Sequence, residues 1–333
     1  MTEKTNAAAV NPNGWLMNPR FDMTLIFGVA GLALLGGWIS VAKPNLFPLL
    51  LFWDLWLLGT HHVIATFTRL CFDVDSFKQH KFLVLGLPVI VVAGTITAAL
   101  TVGPWIIPTT YLYWQWFHYT RQSYGIARVY QSKLDSKAKP DSLIIYLLPL
   151  SGILYRSYQN PGTFLGMELK CLPVPLWVVQ VFFAASAAAL VWWVIQEFRE
   201  YRQGKFKIGY SLYMITHIVI FTVGYVAIQD INFGWLVMNI WHNAQYLMFV
   251  WMFNNKRFKD QIDPRHPFLS ALSRRKFQWA YHIVTLGITV IVYNSLQLTV
   301  SQIAWTALPV ALVVYQAINF HHYIVDGIIW KVR

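Results

Sequence analysis

The sequence predicts an all-α, polytopic integral membrane bundle of about ten transmembrane helices. Only 12% of the 333 residues are charged and 56% are hydrophobic, whereas an ordinary soluble domain has roughly 25% charged residues. Apolar runs of about 20 residues, the length that crosses a bilayer as a helix, recur along the whole chain. Lysine and arginine residues are concentrated in alternate connections between these runs, which is typical of a membrane topology.

Ten apolar runs are candidates for membrane-spanning helices. No connection between them is long enough to form a soluble domain, so we expect a single transmembrane domain over residues 23–330. A cytoplasmic N-terminal segment, 1–22, and a cytoplasmic tail, 331–333, are predicted to flank it. The ten runs cover residues 23–42, 45–67, 82–102, 105–130, 142–158, 174–196, 208–228, 233–253, 277–296 and 304–330.

The basic residues predict the topology. If the N-terminus is cytoplasmic, the inside segments hold 22 of the 26 lysines and arginines, and the outside segments hold only Lys43, Arg156 and Lys170. This asymmetry supports ten helices with both termini in the cytoplasm, as expected in a bacterial inner membrane. The net charge of +12 therefore indicates contact with the lipid bilayer, and no nucleic-acid partner is predicted.

Polar side chains inside the runs predict a functional site. Each charged residue at the centre of a bilayer costs roughly 2.5 to 3.5 kcal/mol, so such residues usually face the bundle interior. The second, fourth, eighth and tenth runs cross the membrane in the same direction, and their histidines are expected to share a layer in its cytoplasmic half. Unequal depths along the runs leave two separate polar layers as the alternative. The residues concerned are Asp54, His61, His62, Gln115, His118, Arg121, Gln122, His217, Asn239, His242, Asn243, Gln245, Gln316, Asn319, His321, His322 and Asp326.

The histidines suggest a metal site. Neighbouring residues in a helix point about 100° apart, so one member of each HH pair should face a centre and the other a second centre or a supporting partner. A buried neutral histidine can also simply hydrogen-bond a neighbouring helix. The predicted ligands are His61, His62, His118, His242, His321, His322 and Asp326; further candidates for ligands or supporting partners are Asp54, His217, Gln245 and Asn319. Asp54 is expected to orient His61, and Asp326 is expected to bind the metal or to orient His322.

The donor types narrow the choice of metal. Imidazole and carboxylate ligands suit iron, zinc, copper or manganese, and the two cysteines are too few for an iron–sulfur cluster. Five or more buried histidines exceed the three or four ligands of a zinc site. They favour non-haem iron, as one ion or two. Haem with His118 and His242 as axial ligands is an alternative.

With His61-His62, His118, His242 and His321-His322 on separate helices, the chain resembles the broad class of histidine-rich integral-membrane non-haem iron enzymes. That class includes desaturases, hydroxylases and the bacterial membrane carotene-cleaving oxygenases. The HxxxH and HxxHH boxes of membrane desaturases and hydroxylases do not occur in this sequence. The resemblance therefore implies an oxygen-activating iron beside a lipid-facing pocket, and it assigns no catalytic role to a single residue.

Three functions are consistent with these sequence features. The first is an oxidoreductase that uses dioxygen and an electron donor on a hydrophobic lipid, acyl or isoprenoid/carotenoid substrate, whose polar head Arg121 and Gln122 would contact. The second is a transporter that relays protons or binds a metal ion through the buried histidines and aspartates. The third is an electron-transfer protein that binds haem or quinone.

Overall fold

A computed structural model describes residues 14–132, 142–303 and 310–330 of the chain. Most of the predicted N-terminal segment, the first part of the tenth run and the predicted tail lie outside these ranges. The same is true of six of the lysines and arginines that predict the topology, namely Lys4, Lys133, Lys137, Lys139, Lys331 and Arg333.

Within the described residues, ten long helical segments form the protein, one at each predicted run. Six of them, α1, α2, α3, α6, α7 and α9, are long and apolar enough to cross a membrane, which indicates an integral membrane helical bundle. The other four contain more polar residues. The segments are α1 (Pro19–Ala42), α2 (Pro44–Cys71), α3 (Phe82–Thr101), α4 (Ile106–Ser132), α5 (Ser142–Gln159), α6 (Leu176–Arg202), α7 (Ile208–Ala227), α8 (Ile231–Arg257), α9 (Gln278–Ile303) and α10 (Val310–Ile329).

Helix α8 lies at the centre of the bundle, and 20 of its 27 residues are buried. Its start is defined by Asp230, whose side chain accepts hydrogen bonds from the backbone N–H groups of Asn232 and Phe233. Helix α1 packs closely against it because Gly36 and Gly37 have no side chains. A Cβ atom on Gly37 would lie only 2.3 Å from Val237 of α8. Small residues at helix contacts allow this close approach in membrane bundles.

A wide turn interrupts α2 just before its histidine pair. Residues Leu55–Gly59 form a π-helical turn between two α-helical stretches. Such a turn accommodates about one extra residue, so the helix after it is rotated by about 100° relative to a regular α-helix. Asp54 and the histidines therefore do not lie on the same faces of α2 that the spacing of a regular α-helix predicts.

A short hairpin follows α5. Strands Thr163–Phe164 and Met167–Glu168 pair in antiparallel fashion, with Thr163 opposite Glu168. The two linking residues have positive φ angles, 50° at Leu165 and 76° at Gly166, which fits a tight two-residue turn. Phe164 is fully buried beneath this hairpin and packs against Trp235 of α8.

At the opposite end of α8, an ion pair joins the last residue of this helix, Arg257, to the connection between α2 and α3. Asp73 caps the short helix Val74–Gln79 by accepting from the N–H groups of Asp75 and Ser76, and its carboxylate lies 2.5 Å from Arg257. Burial by itself would raise the pKa of Asp73, but the hydrogen bonds from Arg257 and from the N–H group of Ser76, together with the charge of Arg257, outweigh burial and hold the pKa below its usual value. The stability from this contact is thus present at neutral pH and is lost as the pH falls through that lowered pKa.

Helices α7 and α8 meet at a corner where two glycines are in contact. The Gly224 carbonyl oxygen would lie 2.0 Å from a Cβ atom on Gly234. The same carbonyl accepts a hydrogen bond of 3.0 Å from Nη2 of Arg156, a fully buried side chain of α5 that also donates to the backbone oxygens of Ile228 and Gln229. Arg156 therefore neutralises the carbonyl groups at the end of α7.

We predict that Gly234→Ala destabilises the protein by about 1–3 kcal/mol, because the new methyl group forces α7 and α8 apart. Gly287→Ala in α9 is the matched control, since no atom lies within 4 Å of its added Cβ, and it should stabilise the helix slightly. Denaturant unfolding of both variants in a mild detergent measures the difference. Equal stabilities of the two variants would contradict the prediction.

Candidate metal site

Four buried histidines from four helices meet inside the bundle. They are His62 of α2, His118 of α4, His242 of α8 and His322 of α10. The Nε2 atoms of His62 and His322 lie 3.1 Å apart. One ring nitrogen each of His62, His118 and His242 lie within 4.8 Å of one another. We call these four side chains the histidine layer.

The four helices that carry the layer run in the same direction, because contacts between them advance in step. Along α2 and α10 the contacts join His62 to His322, Thr66 to Asp326 and Arg69 to Trp330. Along α4 and α8 they join Gln115 to Trp235 and Tyr119 to Asn239. Along α2 and α8 they join Asp54 to Asn239 and Thr66 to Tyr246. The helix starts are staggered, since His62 is 18 residues after Pro44 and His242 is 11 residues after Ile231. At 1.5 Å per residue, this stagger is about 10 Å.

Asp326 is the carboxylate next to the layer. Its Oδ2 lies 3.5 Å from Nε2 of His322, one turn earlier on α10. Its Oδ1 accepts a hydrogen bond of 2.8 Å from the Tyr246 hydroxyl. Thr66 contacts the same hydroxyl at 2.6 Å and Nδ1 of His322 at 3.1 Å. These contacts hold both the carboxylate and the imidazole in place, as supporting partners of metal ligands do.

The donor set fits a metal ion. A second group of possible ligands, His118, His322 and Asp326, also lies within 4.8 Å and shares His118 with the first. Nε2 of His118 and both ring nitrogens of His242 are buried and have no hydrogen-bond partner among the described residues. Imidazole nitrogens bind metals at 2.0–2.1 Å, so ligands of one ion lie at most about 4.2 Å apart. The ligand atoms of each group, which lie up to 4.8 Å apart, would therefore need only small side-chain movements to bind one ion.

The other member of each HH pair lies elsewhere. Nε2 of His61 is 2.6 Å from the Thr285 hydroxyl of α9, and its Nδ1 is 3.1 Å from the Leu57 carbonyl oxygen. Nε2 of His321 is 2.7 Å from the carbonyl oxygen of Leu83 in α3. The structure thus places His62 and His322 in the layer, and it places His61 and His321 at contacts with neighbouring helices.

Asp54 does not orient His61, contrary to the sequence interpretation. Its Oδ2 accepts a hydrogen bond from Asn239 of α8 instead. The physical reason is the π-helical turn at Leu55–Gly59, which breaks the regular spacing and turns Asp54 and His62 towards α8. A buried chain of hydrogen bonds continues from Asn239 through Tyr119 and Gln115 to the indole N–H of Trp235.

The remaining predicted residues lie outside the histidine layer and have different surroundings. His217 is fully buried and packs against Phe221 and Trp241 outside the layer. Gln245 is fully buried, with no hydrogen-bond partner for its amide among the described residues. Asn319 donates to Gln316. Gln122 donates to the carbonyl oxygen of His242 at 2.9 Å, and Arg121 to the Tyr146 hydroxyl at 3.3 Å.

A cavity lies on each side of the histidine layer, and both are lined by the helix faces that carry the histidines. The first, of about 390 Å³, is lined by residues four and seven positions after the histidines, among them Arg69, Gln122, Gly125, Tyr246, Phe249, Asp326 and Ile329. The second, of about 410 Å³, is lined by residues three and seven positions before them, namely Leu55, Gly59, Tyr111, Gln115, Trp235, Asn239, Tyr315 and Asn319. Tyr323 lines both cavities and stacks on His118.

Sequence reasoning missed several functional candidates, but a signal for some of them exists. Each histidine of the layer is followed four residues later by a polar side chain: Thr66 after His62, Gln122 after His118, Tyr246 after His242 and Asp326 after His322. Residues four apart lie on one face of a helix. Thr66 and Tyr246 could have been found from this repeated spacing.

No protein-family model matches the chain, and no curated protein or solved structure is detectably similar to it.

We predict that Tyr246→Phe destabilises the protein by about 1–3 kcal/mol, because Asp326 loses a buried hydrogen-bond donor. Tyr293→Phe is the matched control: Tyr293 is similarly buried, and its hydroxyl makes no hydrogen bond to another described residue. Thermal unfolding in detergent compares the two variants with the wild-type protein. A Tyr246→Phe variant as stable as the control would show that the hydroxyl does not support Asp326.

Proposed function

We propose that the protein is an integral-membrane, metal-dependent oxidoreductase with histidine-ligated non-haem iron. The observation that carries the proposal is the histidine layer, in which four buried imidazoles from four helices meet a buried carboxylate. The ring nitrogens of His242 have no hydrogen-bond partner within the described ranges, so they are available to a metal ion. Those of His217 also have no such partner, but of these two histidines only His242 lies in a group of neighbouring ligand atoms among the described residues.

The ligands in this proposal are His62, His118, His242, His322 and Asp326. Four imidazoles and a carboxylate are more donors than a zinc site uses, and they suit iron as one ion or two. Copper and manganese accept the same donor types, so elemental analysis decides between the metals. A haem between His118 and His242 would have little space. The imidazole rings of His62 and His322 lie beside these two, and neighbouring ring centroids of the four residues are 4.7 to 5.4 Å apart.

The proposed reaction oxidises a hydrophobic substrate with dioxygen. In a hydroxylation, one C–H bond, one O₂, two electrons from a donor and two protons give one C–O–H group and one water. The metal would supply the activation of dioxygen. The chain would contribute the apolar first cavity, which admits a hydrophobic chain and limits water, and the Thr66–Tyr246 contacts, which orient Asp326 and His322. Desaturation and oxidative cleavage of lipid, acyl or isoprenoid/carotenoid chains would use the same metal site and the same apolar cavity.

We further propose that all ten long helices span the bacterial inner membrane and that both termini are cytoplasmic. The distribution of lysine and arginine in the sequence supports this orientation. The four more polar helices, α4, α5, α8 and α10, would cross within the bundle, where neighbouring helices satisfy their polar groups.

We predict that purified wild-type protein contains a transition metal, measured by mass spectrometry of the elements, and lacks the intense absorption band of haem. Replacing His242 and His322 by Ala removes two ligands and should lower the metal content at least about tenfold. Replacing His61 and His321 by Ala is the matched control, because both lie outside the layer. A metal-free wild-type protein, or equal metal contents in the two double variants, would contradict the proposal.

A transporter is the second candidate, and the specific observation in its favour is the position of the two cavities. They have similar volumes, about 390 and 410 Å³, and lie on opposite sides of the histidine layer. Alternating access to a central site needs a pathway of this kind.

Reconstituted vesicles distinguish the two functions. For the oxidoreductase we expect no uptake of protons, Zn²⁺ or Mn²⁺ above that of protein-free vesicles when a gradient of each ion is imposed. Uptake by the wild-type protein that disappears in His242→Ala would instead establish transport and contradict the oxidoreductase.

A further inference from the structure

The first cavity contains two arginines that the metal site does not use. We propose that this cavity binds an amphiphile whose anionic head group, a carboxylate or a phosphate, is held by Arg69, while Arg121 adds positive charge to the same cavity. The apolar chain of the ligand then passes beside His118 of the histidine layer and the neighbouring Asp326, which both line the cavity. This inference rests on the proposed function, because it names the class of substrate that the metal site would oxidise.

Arg69 is held in place by aromatic rings. Its guanidinium carbon lies 3.9 Å from the centre of the Trp330 ring and 4.3 Å from that of Phe253. Stacking of this kind uses the face of the guanidinium, whereas its N–H donors lie in the guanidinium plane. The side chain is therefore fixed without consuming the donors that would bind an oxyanion.

Arg69 also has unused hydrogen-bonding capacity. Its Nη1 is buried and has no hydrogen-bond partner among the described residues. The ion pairs within the described ranges do not include Arg69. The charges of Asp326 and Asp73 favour the charged form of Arg69, but neither carboxylate forms an ion pair with it within 4.0 Å. A buried guanidinium is expected to find a direct partner of opposite charge. An anionic head group in the cavity would provide that partner.

The charge of the cavity favours an anion over a cation or a neutral head. The charged residues that line it within the described chain are Arg69, Arg121 and Asp326, so its formal charge is positive. The carboxylate of Asp326 already accepts from Tyr246 and contacts His322. A bound metal ion would add further positive charge. Guanidinium groups bind carboxylates and phosphates through paired N–H donors, which gives the site a preference for oxyanions.

The spacing of His62 and Arg69 on α2 separates the proposed metal site from the proposed position of the ligand's head group. Arg69 is seven residues after His62 on the same helix face, which corresponds to about 10 Å along the axis. Trp114, Phe117 and Phe249 provide apolar walls to the cavity. A head group at Arg69 therefore leaves the histidine layer beside the apolar chain, where a C–H or C–C bond would be oxidised.

Equilibrium binding to the full-length protein in a non-ionic detergent tests the inference. The probes are palmitate, hexadecyl phosphate and hexadecanol, which carry the same chain with a carboxylate, a phosphate or a neutral head. We expect at least one anionic probe to bind about tenfold or more tightly than hexadecanol. The tighter of the two anionic probes then identifies the head group. Equal dissociation constants for all three would overturn the inference.

Variants test whether Arg69 is the cause of the preference for an anionic head group. Arg69→Gln should weaken binding of the preferred anion about tenfold and leave hexadecanol binding unchanged, and Arg69→Lys should give an intermediate constant. Arg274→Gln is the matched control, because Arg274 also stacks on an aromatic ring, that of Phe277, but does not line the cavity. An equal loss of anion binding in the Arg69→Gln and Arg274→Gln variants would overturn the inference. If Arg69→Gln does not fold, the wild-type comparison of the three probes still tests it.

Metal content, measured in the same preparations, separates this inference from the proposed function. A metal-free protein that still prefers an anionic probe contradicts the oxidoreductase alone. A metal-containing protein with no preference for an anionic head contradicts the head-group site alone.

Discussion

The structure depends on one constraint: polar groups inside a bilayer have no water to bond, so they must find partners within the bundle. Three of the four helices that carry the histidine layer, α4, α8 and α10, are long enough for an ordinary span but are not apolar enough. Where these helices face one another, several of their polar side chains bond each other, as Tyr119 does with Asn239 and Tyr246 does with Asp326. Helix α8 is buried along most of its length. The apolar helices α3, α6 and α9 have more of their surface exposed on the outside of the bundle.

The same constraint organises the site into layers. Because α2, α4, α8 and α10 run in the same direction, residues at equal offsets from their histidines lie at similar heights. Polar residues follow each histidine by four positions, and the next layer, seven positions on, contains Arg69 beside Gly125, Phe249 and Ile329. Before the histidines lie Gly59, Gln115, Asn239 and Asn319. Small residues such as Gly59 and Gly125 leave space in these layers, and the two cavities result.

Much of this arrangement could be predicted from the sequence, and the exceptions have physical causes. Apolar runs and the basic residues between them predicted the helices, because these signals depend only on local composition. The polar faces of the second, fourth, eighth and tenth runs predicted which helices meet. For the first HH pair, the member that enters the layer could not be predicted, since a π-helical turn changes the face of α2. The apparent mismatch in depth arose because the helix starts are staggered, which composition does not reveal. Arg69 was interpreted only as a basic residue at the inside end of a helix, although its position relative to His62 places it on the site face.

The position of three residues on α2 connects the metal site to ligand binding. His62, Thr66 and Arg69 lie on one face of this helix, where they contact respectively the histidine layer, the Tyr246 hydroxyl and the ring of Trp330. A helix is stiff over two turns, so the distance from the proposed head-group anchor to the proposed metal ligand is nearly constant. A ligand bound by its head would then present the same segment of its chain to the metal in every complex. In the proposed oxidation, the position of the reacting carbon along the chain would then be set by the spacing of Arg69 and His62, and the apolar walls would need only to accept the rest of the chain.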